Sequence, residues 1–123
     1  MDNPGKGTFA GEGASFFVLS SQSNAGSLAE IKQVETLYKP KHFADVENQI
    51  HRMLRESSLT MDDVGLIITG HNGDIAHDQL DLHLSATLFR NKPTFPFKQL
   101  CGVSPTASGF ALGLGSLLFS EEK

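Results

Sequence analysis

The run from Thr106 through Phe119 is the feature that most constrains this chain, because it carries no charged residue at all. Its leucines and alanines suit a helix, but a helix without a polar face. Such a helix is normally buried on all sides. Gly109, Gly113 and Gly115 further imply that another element packs closely against it. A chain of 123 residues has little material with which to wrap it. The reading is therefore a piece of a larger fold, or an obligate oligomer. Left open, each of Leu112, Leu114, Leu117, Leu118 and Phe119 forfeits roughly 1.5–3 kcal/mol of burial. Summed, that is comparable with a small domain's entire stability of about 5–15 kcal/mol, so self-association is expected of the chain studied alone.

The rest of the chain alternates between strand and helix signals. Residues 14–19, with Phe16, Phe17, Val18 and Leu19, read as a buried strand after a glycine-punctuated start. A polar loop over 20–27 follows. A second strand is expected over 28–38, forming a hairpin with the first. From Phe43 the period changes: Phe43, Val46, Ile50, Met53 and Leu54 share one face of a helix that stops near Ser57 and Ser58. Residues 64–69 are apolar on both faces, as in a central strand covered on each side. Gly70, His71, Asn72 and Gly73 turn out of its carboxyl end. A second helix presents Ile75, Leu80, Leu84 and Leu88 to the core, and Pro93 and Pro96 bracket a short extended piece at 94–97. The expected fold class is α/β: a mixed sheet of about four strands with three helices, the last of them buried, in one domain over 1–123.

Charge and cysteine content remove several functions. Ten Lys and Arg against 14 Asp and Glu give a net charge of −4, with no basic stripe for nucleic acid or an anionic membrane. No apolar run reaches the roughly 18 residues that span a bilayer, and the first residues lack the layout of a secretory signal. A cytoplasmic protein is expected. The single cysteine, Cys101, excludes an internal disulfide framework and a multi-cysteine zinc site. Gly5, Lys6, Gly7 and Thr8 do not make a phosphate loop, because Gly7 separates the lysine from the threonine.

The densest polar group runs from His71 through Asn72, Asp74, His77 and Asp78 to Asp81 and His83. With a helix starting near Asp74, His77 and Asp81 lie one turn apart, as do Asp74 and Asp78. Imidazole and carboxylate groups converging after a strand are the ligands a divalent metal takes. The spacing fits no established metal motif, and a capped, solvated helix start accounts for it equally well. No metal and no cofactor are therefore expected. Cys101 reads as a small buried hydrophobe rather than a nucleophile. Lys98, between an extended segment and a glycine turn, is placed to orient a carboxylate or phosphate.

Three segments together resemble the C-terminal half of a β-ketoacyl-[acyl-carrier-protein] synthase, a condensing enzyme of the thiolase-like fold. Gly7, Thr8, Phe9, Ala10, Gly11, Glu12, Gly13 and Ala14, followed by Phe16 to Leu19, look like the strand that opens this half. Leu59, Thr60, Met61, Asp62, Asp63 and Val64, leading into Leu66, Ile67, Ile68, Thr69 and Gly70, are similar to the passage toward the family's first catalytic histidine. Lys98, Gly102 and Val103, followed by Thr106, Ala107, Ser108 and Gly109, look like its lysine motif and the small-residue helix behind it.

The resemblance implies a layered thiolase-like half-fold and decarboxylative Claisen condensation of acyl and malonyl thioesters, in fatty-acid or polyketide-type synthesis. It implies acyl carrier protein and acyl and malonyl thioesters as partners, and a missing N-terminal half or a homo-oligomer. Lys98 and His71 become the catalytic candidates, with Gly70, Asn72, Asp78 and Val103 lining the substrate site. Gly70 stands at the first histidine position in direct register, with His71 one residue later, and Val103 stands at the second. An aliphatic side chain donates no hydrogen bond to a thioester oxygen. The family's cysteine nucleophile belongs to the other half, so this stretch is expected to be inactive alone. A catalytically silent partner subunit is the alternative, and a metal-dependent hydrolase using His71, Asp74, His77 and Asp78 is a third reading.

Overall fold

The three- and four-residue spacing of Val46, Ile50, Met53 and Leu54 produces α1 (Phe43–Glu56), with those four side chains half-buried on one face. Its amino end is closed by Asp45, whose Oδ2 accepts the His42 N–H at 3.1 Å. A computed structural model describes residues 10–121. After α1 come a 3-10 turn at Met61–Asp63, β1 (Ile67–Thr69), α2 (Ile75–Ala86), β2 (Thr94–Pro96), α3 (Lys98–Cys101) and α4 (Ala107–Glu121). The described residues thus form a mixed α/β arrangement of four helices and a two-stranded sheet.

The sheet is parallel, with Ile67, Ile68 and Thr69 opposite Thr94, Phe95 and Pro96. Parallel strands need a crossover, and α2 supplies it. Because both strands run the same way, the residues that follow them emerge at the same edge. His71 and Lys98 are brought together by this topology. Pro96 has no N–H to give a ladder, and the next amide, Phe97 N–H, donates to the Thr69 carbonyl at 3.2 Å. The extended piece expected at 94–97 is found. The strand expected over 64–69 is shorter, and only half-buried, because a two-stranded sheet covers it on fewer sides than a central strand requires.

The two amino-terminal strands are not found. Residues 12–41 contain no strand, and among the described residues their only backbone bond to another backbone group is a turn in which Ser27 N–H donates to Asn24 O. Phe16 and Val18 are 94% and 100% exposed. A hydrophobic run becomes a strand only when an edge is available to pair with it. Here the sole such contact is a one-residue parallel bridge between Ala10 and Val103. The segment is instead held by side chains: Gln33 donates to Glu56, Gln49 donates to Glu35, and Arg52 pairs with Glu35 on the polar face of α1. The sheet therefore has two strands rather than about four. The fourth helix, α3, follows the extended piece over residues to which the sequence assigned no element.

α4 meets its neighbours through its glycines, as its composition implied. A Cβ at Gly115 would lie 3.1 Å from Ile68 Cδ1, and one at Gly109 would lie 3.0 Å from the Ser15 side chain. Phe17 rests against Gly109 and Gly113. The expectation of complete burial fails, however: only Ala107 is buried, and Leu112, Leu117, Leu118 and Phe119 are exposed. The accessible surface is 9506 Å², whereas a compact monomer of 13.3 kDa exposes about 6,450 Å². The excess of roughly 3,000 Å² reflects how little is buried: among the described residues these are Leu84, Phe97, Ala107 and Asp78. No helix among the described residues is long and apolar enough to cross a membrane.

Candidate functional site

The site forms where β1 and β2 end. A turn at Gly73, with φ of +91°, reverses the chain after β1. Asn72 Oδ1 accepts the Asp74 N–H at 2.9 Å, and the chain then enters α2. Asp78, on the first turn of that helix, is only 3% exposed and reaches back into the loop. Its Oδ1 accepts the Asn72 N–H at 3.0 Å, and its Oδ2 accepts the Gly73 N–H at 2.7 Å. Burying a carboxylate is tolerable only with such partners. The third is His71, whose Nε2 lies 3.2 Å from Asp78 Oδ2. Asp78 thus fixes both the loop backbone and the imidazole.

Lys98 enters from the other strand. It opens α3 immediately after Phe97, which is buried, so its stem starts from a fixed point. A Cβ on Gly70 would lie 3.5 Å from Lys98 Nζ. Lys98 Nζ thus lies beside Gly70, at an ordinary contact distance from a side chain there. Gly70, His71, Asn72, Asp78 and Lys98 form one neighbourhood, as the sequence suggested. Beside it is a cleft of about 260 Å³. His71 and Thr69 line it from the end of β1, Asp81 and Ser85 from α2, and Gln99 from α3.

Asp81 was the residue undervalued by sequence reasoning. It had been paired by spacing with His77, whose side chain lies outside the described residues. Its three-residue offset from Asp78 was the available signal, since that spacing puts both on one helix face. Burial raises its pKa above the ordinary 3.8, and the neighbouring Asp78 charge adds to the rise, while His71 and Lys98 oppose it.

Other candidates fall elsewhere. Val103 is not among the residues lining the cleft; it is held in the bridge with Ala10, where its carbonyl accepts the Gly11 N–H at 3.0 Å. His83 faces α1, with Nε2 at 2.7 Å from Glu47 Oε1 and its ring 4.6 Å from that of Phe43. It is a clamp between two helices. Asp74 sits just before α2, and its carbonyl accepts the Asp78 N–H. Cys101 is half-buried, and its thiol donates to the Gly102 carbonyl. Among the described residues, His71, Asp78 and Asp81 are the three whose ligand atoms converge; the side chain of His77, from the group suggested by the sequence, lies outside them. No protein family, curated protein or solved structure matches the chain.

Proposed function

We propose that the chain is part of a ketosynthase-like condensing enzyme and supplies one wall of its thioester site. The observation that carries this reading is the meeting of Lys98 with the His71 loop at the carboxyl edge of the parallel strands. An ammonium and an imidazole held by separate strands suit a developing enolate oxygen, because fixed donors stabilise charge without reorganising. Asp78 keeps the imidazole oriented, as the carboxylate partner of a catalytic histidine does. Condensation also needs a nucleophile, and Cys101 is spent on a local backbone contact. The nucleophile then belongs to the other half of the enzyme. The thiolase-like layering and the acyl-carrier partner are part of this proposal.

A second reading, a catalytically silent partner subunit, is favoured by Val103, which offers no donor and lies away from the cleft lining. Carbon dioxide release from malonyl-carrier protein separates the two. The protein isolated from its own cells with its companion should release it, and Lys98→Ala should abolish that release. The chain alone should release none. Turnover by the chain alone, or an assembly indifferent to Lys98→Ala, refutes the condensing-enzyme reading. An assembly that releases carbon dioxide with or without the substitution selects the silent partner, because its active mate then does the chemistry.

A further inference from the structure

We infer that His71, Asp78 and Asp81 form a binding site for a divalent transition-metal cation, of which Zn²⁺ and Mn²⁺ are the best-suited probes. The inference stands apart from the proposed condensing role, because it rests on ligand geometry rather than on the resemblance. One imidazole nitrogen and two carboxylate oxygens lie within 4.8 Å of one another. Such donors sit about 2.0–2.2 Å from a metal, so neighbouring ligand atoms in its shell are about 3.0–3.4 Å apart. The 3.2 Å between His71 Nε2 and Asp78 Oδ2 already has that value.

The surroundings are those of a held ligand set. Asp78 is nearly fully buried and its orientation is fixed by the Asn72 and Gly73 amides, which act as outer supports. The other two ligands, His71 and Asp81, face the 260 Å³ cleft, which has room for the waters or substrate oxygen that complete a shell. Mixed nitrogen and carboxylate donors favour Zn²⁺, Mn²⁺ or Fe²⁺ over Ca²⁺ or Mg²⁺. Charge is consistent as well. Two carboxylates face one ammonium, Lys98, so with His71 neutral the cluster retains one uncompensated negative charge. Lys98 opposes the ion without excluding it, and its removal should tighten binding.

The test is equilibrium dialysis of the chelator-stripped full chain against Zn²⁺ or Mn²⁺ alone, with bound metal measured by elemental analysis. One equivalent per chain is expected at micromolar ion, with affinity lowered at least about tenfold by Asp81→Asn and by His71→Gln. Lys98→Met should bind at least as tightly as the parent, and His83→Gln should bind equally. Because His71→Gln alters the loop, Mn²⁺ broadening of nuclear resonances in the unaltered chain gives an independent reading. Signals of His71 and Asp81 should broaden before those of His83. Binding below one-fifth of an equivalent at millimolar ion overturns the inference. So does parental affinity in both Asp81→Asn and His71→Gln, or broadening centred on His83.

Discussion

Replacing Asp78 tests the account of the site loop at its most buried point. In Asp78→Ala the Asn72 and Gly73 amides lose charge-assisted acceptors at 3.0 and 2.7 Å, and the His71 imidazole loses its partner at 3.2 Å. Hydrogen bonds to charged groups contribute about 1.5–3 kcal/mol each, and the amides, being only partly buried, regain some of this from water. The expected loss is about 2–4 kcal/mol. Asp78→Asn is the sharper variant, because it keeps the shape. One side-chain oxygen still accepts an amide, but the new NH₂ group faces the other amide donor to donor. A loss of about 1–3 kcal/mol follows. Urea unfolding at fixed protein concentration gives the global value, since association shifts apparent stability. Hydrogen exchange at Asn72 and Gly73 gives the local one. If Asp78→Asn stays within about 0.5 kcal/mol of the parent, with those two amides equally protected, the carboxylate does not hold the loop.

Three further outcomes follow from other parts of the fold. Gly102 has φ of +73°, and a Cβ there would lie 3.0 Å from the Gly11 backbone; Gly102→Ala should cost about 1–3 kcal/mol by thermal unfolding, from strain and close contact together. The Thr60 amide and hydroxyl bond to Asp63 and hold its pKa below 3.8. That contribution is present above pH 3.8 and is lost as pH falls through the folded-state value. Melting of Asp63→Asn should therefore be lower than the parent at pH 7, with the gap closing on acidification. Leu117→Glu, on the exposed side of α4, should shift the chain toward monomer in size-exclusion with light scattering, while the parent elutes as an associated species.

Much of the helical and sheet framework was legible in the sequence, and the reason is locality. Val46, Ile50, Met53 and Leu54 declare α1 by period alone, and Pro93 and Pro96 frame β2 because proline fixes its own backbone. The glycines of α4 announced the close approach of Ile68 and Phe17. What failed was whatever depended on a partner. Phe16, Val18, Ile31 and Val34 carry strand propensity, yet a strand is a pairing, and these residues form none. Leu117 and Leu118 are likewise exposed on a helix whose composition calls for burial.

The site was read in part for the same reasons. His71, Asn72 and Asp78 are near in sequence, so a turn and one helical rotation suffice to join them. Lys98 reaches them only through the parallel pairing of β1 with β2. It was located by its motif rather than by any spacing. Val103 was assigned to the site by motif as well, but the bridge to Ala10 holds it elsewhere. Spacing alone pairs Asp81 with His77, and its convergence with His71 and Asp78 depends on the path of the loop, which no spacing on the helix encodes.

The central claim is that this chain supplies one part of a larger condensing enzyme. The size of the polypeptide in its own cells, probed with an antibody against this sequence, tests that most directly. The account predicts a band more than twice 13.3 kDa, whose additional sequence supplies the nucleophilic cysteine. A band near 13.3 kDa would contradict it, and the chain would then stand as a free partner subunit.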